Sequence, residues 1–164
     1  MVEISFVIDR RLAVGGGIWT AENMAALKRM GFTHIVNLQM EFDDRELAAE
    51  AGIEALWNPT DDDFSPKPAE FFERSIRFAL AALADEQAQV YVHCAAGIHR
   101  APLTTAAILH ALGFELNDAI HLVAARRAGA DFPEVYVDSL RLWAAMRQPE
   151  AEIPDDVSED GSLD

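Results

Sequence analysis

A chain of 164 residues and 18.1 kDa has room for one hydrophobic core and none for a second catalytic domain. With 51% hydrophobic and 25% charged residues it reads as globular rather than disordered or collagenous, and no apolar run nears the roughly 18 residues of a membrane span. Its 28 acidic against 13 basic residues leave a formal charge of −15, a field that repels nucleic acid and anionic membrane surfaces, so neither is an expected partner.

An anionic substrate would therefore have to be gripped by strong local positive potential. The opening stretch MVEISFVIDRR lacks the basic region, long apolar segment and small-residue cleavage site of a secretory signal, and the expected location is the cytoplasm. A single cysteine excludes an intramolecular disulfide and a multi-cysteine metal site, and no metal or other cofactor is expected.

Two short strands, Ile4–Ile8 and Arg11–Val14, come first, and Gly15 to Gly17 break the pattern before a helix capped by Thr20 and closed by Gly31. An apolar strand follows at His34–Leu38. Asp43 with Glu46 three residues on has the look of a capping box, starting a short helix that Gly52 ends, and Ile53–Trp57 reads as the next strand. After an Asp- and Pro-rich loop over Asn58–Pro68, the spacing of Phe72, Ile76, Ala79, Leu80 and Leu83 predicts an amphipathic helix. Gln89–His93 is the last buried strand. Helices over Pro102–Leu112, from an Asn117 cap to near Gly129, and within Asp131–Arg147 complete the chain.

Strands alternating with helices in this order predict a single α/β domain over residues 1–147. Its central, mostly parallel sheet should be flanked by helices on both faces, with ligands bound beyond the carboxyl ends of the strands. Residues 148–164 carry seven acids and few apolar side chains, and read as a solvated acidic tail.

The chemistry concentrates in His93-Cys94-Ala95-Ala96-Gly97-Ile98-His99-Arg100, at the junction of a predicted strand and helix. A loop this short can aim successive backbone N–H groups at a tetrahedral anion while the following helix adds its positive N-terminal end. Gly97 permits a turn that a Cβ would hinder. The guanidinium of Arg100 offers a planar two-point grip on phosphate, and the positive pocket favours the nucleophilic thiolate form of Cys94. His93 is expected to brace the loop by hydrogen bonding rather than to act as a base. Taken singly, a cysteine, arginine or histidine in such places is usually core, solvated or packing; the joint spacing makes the functional reading much the stronger.

This segment resembles the signature of the protein tyrosine phosphatase superfamily, His-Cys-x5-Arg followed by Ser or Thr, and the chain looks most like its compact dual-specificity branch. The resemblance implies the cysteine phosphatase fold. It also implies that Cys94 attacks phosphorus, that Arg100 stabilises the transition state, that residues Ala95 to Arg100 bind the phosphate, and that Asn37 braces the loop. A general acid would come from Asp61, Asp62 or Asp63: spacing to the aromatic pair Phe71-Phe72 points to Asp62, whereas the Asp-Asp-x-x-Pro pattern of the phosphatases of regenerating liver points to Asp63. Leu12 to Gly16, Thr33 to Leu38, Asp118 to Ile120 and Arg127 match further parts of the family. Position 101 departs from the signature, because Ala101 lacks the hydroxyl that would donate to the thiolate, as in the regenerating-liver enzymes; Thr104 and Thr105 are candidates to compensate.

The implied substrates are phosphoproteins, carrying phosphotyrosine or phosphoserine/threonine, or small aryl phosphates. Lysines that phosphoinositide phosphatases usually carry in this loop are absent, and a chain of −15 lacks the basic channel of an RNA triphosphatase. Rhodaneses and arsenate reductases share a reactive loop cysteine but fit less well, given His93 and the upstream Asp loop. From another class, the alternative is a catalytically weak module that recognises phosphate without turnover.

Overall fold

The structure, a computed structural model, describes residues 2–147; the acidic segment 148–164 lies outside the described residues. In chain order the elements are β1 (Ile4–Ile8), β2 (Leu12–Gly15), α1 (Ala21–Arg29), β3 (His34–Gln39), α2 (Arg45–Ala51), β4 (Glu54–Thr60), α3 (Ala69–Leu83), β5 (Val90–His93), α4 (Arg100–Ala111), α5 (Leu116–Arg126) and α6 (Glu134–Met146). The five strands form one sheet in the order β1-β2-β5-β3-β4. All neighbours run parallel except β1, which pairs antiparallel with β2 at one edge.

Apolar side chains of the central strands alternate between two buried clusters, as a pleat covered on both sides requires. Ala13, Ile35 and Tyr91 face α1 and α2 together with Met24, Leu27, Phe32 and Ala48. Leu12, Val14, Val36, Leu38, Val90 and Val92 face the other way, against Phe72, Ile76, Leu103, Ile108 and Trp143 of α3, α4 and α6. β5 lies at the centre, buried along its whole length, and delivers the chain into the loop that begins at Cys94.

Local signals set several boundaries as expected. Thr20 caps α1 by accepting from the Asn23 N–H at 3.1 Å, and Gly52 ends α2 in the left-handed region at φ 79°. Four expectations are corrected. The Asp43–Glu46 capping box does not form: Asp43 accepts from the N–H of Arg45 and pairs with its guanidinium, while Asp44 stands at the N-cap with its side chain buried elsewhere. α5 is capped by Glu115, which accepts from the Asp118 N–H at 3.1 Å, and Asn117 lies inside the helix. β4 runs on to Thr60, because at a sheet edge Pro59 removes no ladder bond. α4 starts at Arg100, two residues early; Pro102 falls in its first turn, where a missing N–H costs nothing.

Candidate active site

Because β2, β5, β3 and β4 are parallel, their carboxyl ends emerge on one edge. Four connections meet there: Gly16–Gly17 after β2, the loop of Cys94 to His99 after β5, the turn of Met40 to Asp44 after β3, and the stretch of Asp61 to Pro68 after β4. The segment between α5 and α6 approaches from beside them.

Each carbonyl along the loop has a donor outside it. Ala95 O accepts from Gly17 N at 2.9 Å, Ala96 O and Gly97 O from Arg127 Nη2 and Nε at 3.2 and 3.1 Å, and Ile98 O from Asp131 N at 2.8 Å. In a trans peptide the next N–H points opposite to the C=O, so the amides of Ala96, Gly97, Ile98 and His99 face into the bowl. Gly97 turns at φ 70°, and a Cβ there would lie 2.5 Å from the Gly15 carbonyl carbon and 2.6 Å from Arg127 Nη2. Arg127 is therefore a loop brace: its remaining nitrogen reaches Glu3 O and Ser5 Oγ at 3.3 Å, tying the loop to β1.

At the floor, Cys94 is 2% exposed and its Sγ accepts from Ala101 N at 3.3 Å, at the positive end of the 12-residue helix α4. Neither threonine compensates for the absent hydroxyl. Thr105 donates to Ala101 O at 2.8 Å, and the buried Thr104 hydroxyl has no partner among the described residues. Arg100 rises beside the sulfur. Its Nη1 and Nη2 donate to the two Glu41 carboxylate oxygens at 2.9 Å each, and Nη1 also to Thr60 O at 2.9 Å. Burial works against the guanidinium charge, but the Glu41 bonds and the nearby Cys94 outweigh it and raise its pKa; the same bonds hold Glu41 below the usual carboxylate range. Nε, also buried, has no partner among the described residues, so the guanidinium keeps a donor for an anion.

Asn37 and His93 meet through a residue the sequence reading assigned no role. The buried Asp44 takes a bond from Asn37 Nδ2 at 3.0 Å on Oδ1 and from His93 Nε2 at 2.9 Å on Oδ2. His93 stacks on Tyr91, whose hydroxyl donates to Gly16 O at 2.6 Å. Asn37 thus braces the loop at one remove.

The two candidate acids occupy different environments. Asp63 accepts from the Ser65 hydroxyl and N–H and from Lys67 Nζ; chiefly the Ser65 hydroxyl bond, then the other two, lower its pKa to about 2. It therefore stays ionised at neutral pH and points along its own loop. Asp62 turns towards the bowl, with Oδ2 3.0 Å from His99 Nδ1 and Oδ1 accepting from Tyr136 Oη at 3.0 Å. Burial, with Asp62 adding to it, pushes Tyr136 up to about 12, so its hydroxyl keeps the donated proton. Asp61 offers only its carbonyl here, to Lys67 and Tyr136.

A family description, "Dual specificity phosphatase, catalytic domain", matches residues 17–146, a span that holds Cys94, Arg100, Asp62, Glu41, Asp44 and Arg127. The chain belongs to the dual specificity phosphatase family. Protein tyrosine phosphatase type IVA 2 of Mus musculus is 30% identical over 105 residues, covering 63% of this chain; the chain spans 62% of that relative's length. Among solved structures, Tk-PTP in its active form superposes with a TM-score of 0.76 at 21% identity, covering 88% of this chain and 97% of that one. PTPMT1 in complex with PI(5)P gives 0.74 at 20% identity, covering 87% and 96%.

Beyond the motif, the site is built with Glu41, Asp44, Asp131 and Tyr136, none of which sequence reasoning singled out. Glu41 and Asp44 sit in an acidic turn that reads as solvated surface. Only the pairing of β3 with β5 brings that turn to the loop. Among the described residues no group of three or more His, Cys, Asp or Glu is arranged to hold a metal ion, and no helix is long and apolar enough to cross a membrane.

Replacing Asp44 by Ala removes the acceptor of a fully buried His93 nitrogen. The expected cost is about 1–3 kcal/mol, read as a lower urea midpoint with an unchanged slope, and Asp44→Asn should cost less. An Asp44→Ala midpoint equal to the parent's would remove Asp44 as the brace.

Proposed function

We propose that this family member is a cysteine-dependent phosphatase acting on phosphate monoesters, with phosphoproteins or aryl phosphates as substrates. The observation that carries this reading is the convergence of Cys94, Arg100 and Asp62 around one bowl of inward N–H groups. Four loop amides, Arg100 Nε and the positive end of α4 supply the positive potential that the whole molecule, at −15, lacks.

Cys94 Sγ attacks phosphorus as the bond to the leaving oxygen breaks, and Asp62 protonates that oxygen. The resulting Asp62 carboxylate then takes a proton from water as its oxygen attacks phosphorus; the S–P bond breaks, releasing inorganic phosphate and the thiolate. Asp62 suits this part better than Asp63, because Asp62 reaches the phosphate loop through His99 whereas Asp63 is tied to Ser65 and Lys67 of its own segment. PTPMT1 has been solved with PI(5)P, yet the variable loop positions here hold Ala95, Ala96, Ile98 and His99 without a lysine for further phosphates, which favours a singly phosphorylated group.

Hydrolysis of p-nitrophenyl phosphate tests the reading against mere phosphate recognition. Cys94→Ser and Arg100→Ala should each abolish turnover and leave the fold intact by circular dichroism. Substantial turnover by either variant would overturn the mechanism.

General acid catalysis is typically worth 10²–10⁴-fold, so with a poor leaving group the rate should fall at high pH, and Asp62→Asn should lose that limb. Asp63 is ionised across the whole neutral range, so Asp63→Asn should keep the limb. The opposite pattern would assign the acid to Asp63.

In the second step, a single backbone N–H among the described residues, that of Ala101, reaches Sγ, and a further hydrogen bond to a charged acceptor contributes about 1.5–3 kcal/mol, so release of the thiolate should limit turnover by roughly 10- to 100-fold. Rapid mixing should show a burst of aryl alcohol near one equivalent, and Ala101→Ser should raise the steady rate while shrinking the burst. A linear time course with an unchanged Ala101→Ser rate would mean that the Ala101 N–H suffices or that the first step limits.

A further inference from the structure

His99 occupies the last position of the loop and the N-cap of α4, yet its side chain makes no capping bond. The ring is bridged on both sides. Nδ1 lies 3.0 Å from Asp62 Oδ2 on the segment after β4, and Nε2 lies 3.2 Å from Asp131 Oδ2 on the segment between α5 and α6. Asp131 is itself fixed to the loop, since its N–H donates to Ile98 O at 2.8 Å.

Through one ring, the cluster hooks both the Asp62 segment and the Asp131 segment to the loop. A second hook reinforces it: Phe64 stands edge-on to both His99 and Tyr136, with ring centroids 5.1 and 5.7 Å apart, and its N–H donates to Tyr136 Oη. Phe64 holds this place at φ 59°, a left-handed conformation that costs a bulky side chain energy and that the surrounding contacts must enforce.

We propose that His99 and Asp131 are positioning residues that aim Asp62 at the leaving oxygen. This rests on the reading of Asp62 as the acid. Both residues are partly exposed, Asp131 at 65%, so their replacement should leave the fold intact.

The test compares phenyl phosphate, whose leaving group needs a proton, with 2,4-dinitrophenyl phosphate, whose leaving group does not. His99→Phe, which keeps a ring against Phe64, and Asp131→Ala, which keeps the backbone N–H to Ile98 O, should each lower kcat for phenyl phosphate about 10- to 100-fold more than for 2,4-dinitrophenyl phosphate, the scale of a misplaced catalytic group. Added to Asp62→Asn, neither should slow phenyl phosphate further. Asp62→Asn alone is the control. If it shows no preference between the two substrates, the reading of Asp62 fails and the inference with it. If Asp62→Asn is selective but His99→Phe and Asp131→Ala slow both substrates equally, or slow neither, the inference is overturned and the reading of Asp62 stands.

Discussion

Peptide groups curled around an anion can turn their N–H groups inward only if the carbonyls opposite them find donors outside, since a buried unpaired carbonyl is costly. Most of the edge where the strands end is organised by that requirement. Gly17, Arg127 and Asp131 come from three separate parts of the chain, and each serves the loop by donating to its outer face. The glycines around it follow from the same geometry. A Cβ on Gly16 would lie 3.2 Å from Ala95 O, and one on Gly97 would collide with the Gly15 backbone and Arg127.

The two arginines of the site have opposite tasks. Arg127 spends its donors on carbonyls and so holds the loop's shape. Arg100 binds Glu41 through two nitrogens, which fixes the plane of its guanidinium and leaves Nε directed elsewhere. A lysine could do neither, having no planar fork to divide between a carboxylate and an anion. Pairing also explains how the guanidinium stays charged in a buried place: the Glu41 bonds and the nearby Cys94 outweigh the cost of burial, so a cation is held beside the sulfur of a strongly acidic protein.

Rigidity differs across the site. The Asn37–Asp44–His93 chain is fully buried and belongs to the core, so it holds the start of the loop whatever is bound. The Asp62–His99–Asp131 cluster lies at the surface, where such contacts are individually weak and screened by salt. Under the proposed mechanism, a fixed nucleophile beneath an acid held by surface bonds suits a reaction in which substrate enters, and product leaves, past Asp62.

What the sequence by itself determined was local. The distance from Cys94 to Arg100, the strand running into it and the helix running out set the loop, because a short connection between two regular elements has few ways to close. Short apolar runs in β3 and β5 and the stripe on α3 identified the sheet and its covering helices, and Thr20 and Gly52 marked ends by conformational preferences that need no distant partner. The tertiary structure alone decided which carboxylate does what. Asp43 and Asp44 are adjacent and identical in type, yet one lies on the surface beside Arg45 and the other is buried against His93, 49 positions away in the chain. The same holds for Asp62 and Asp63, one turned to His99 and the other to Ser65, and for Glu41 and Asp131, which reach the loop only because parallel strands end on one edge. Side-chain charge is written in the sequence; its neighbours, and hence its protonation and its aim, come from contacts between distant segments that no local pattern records.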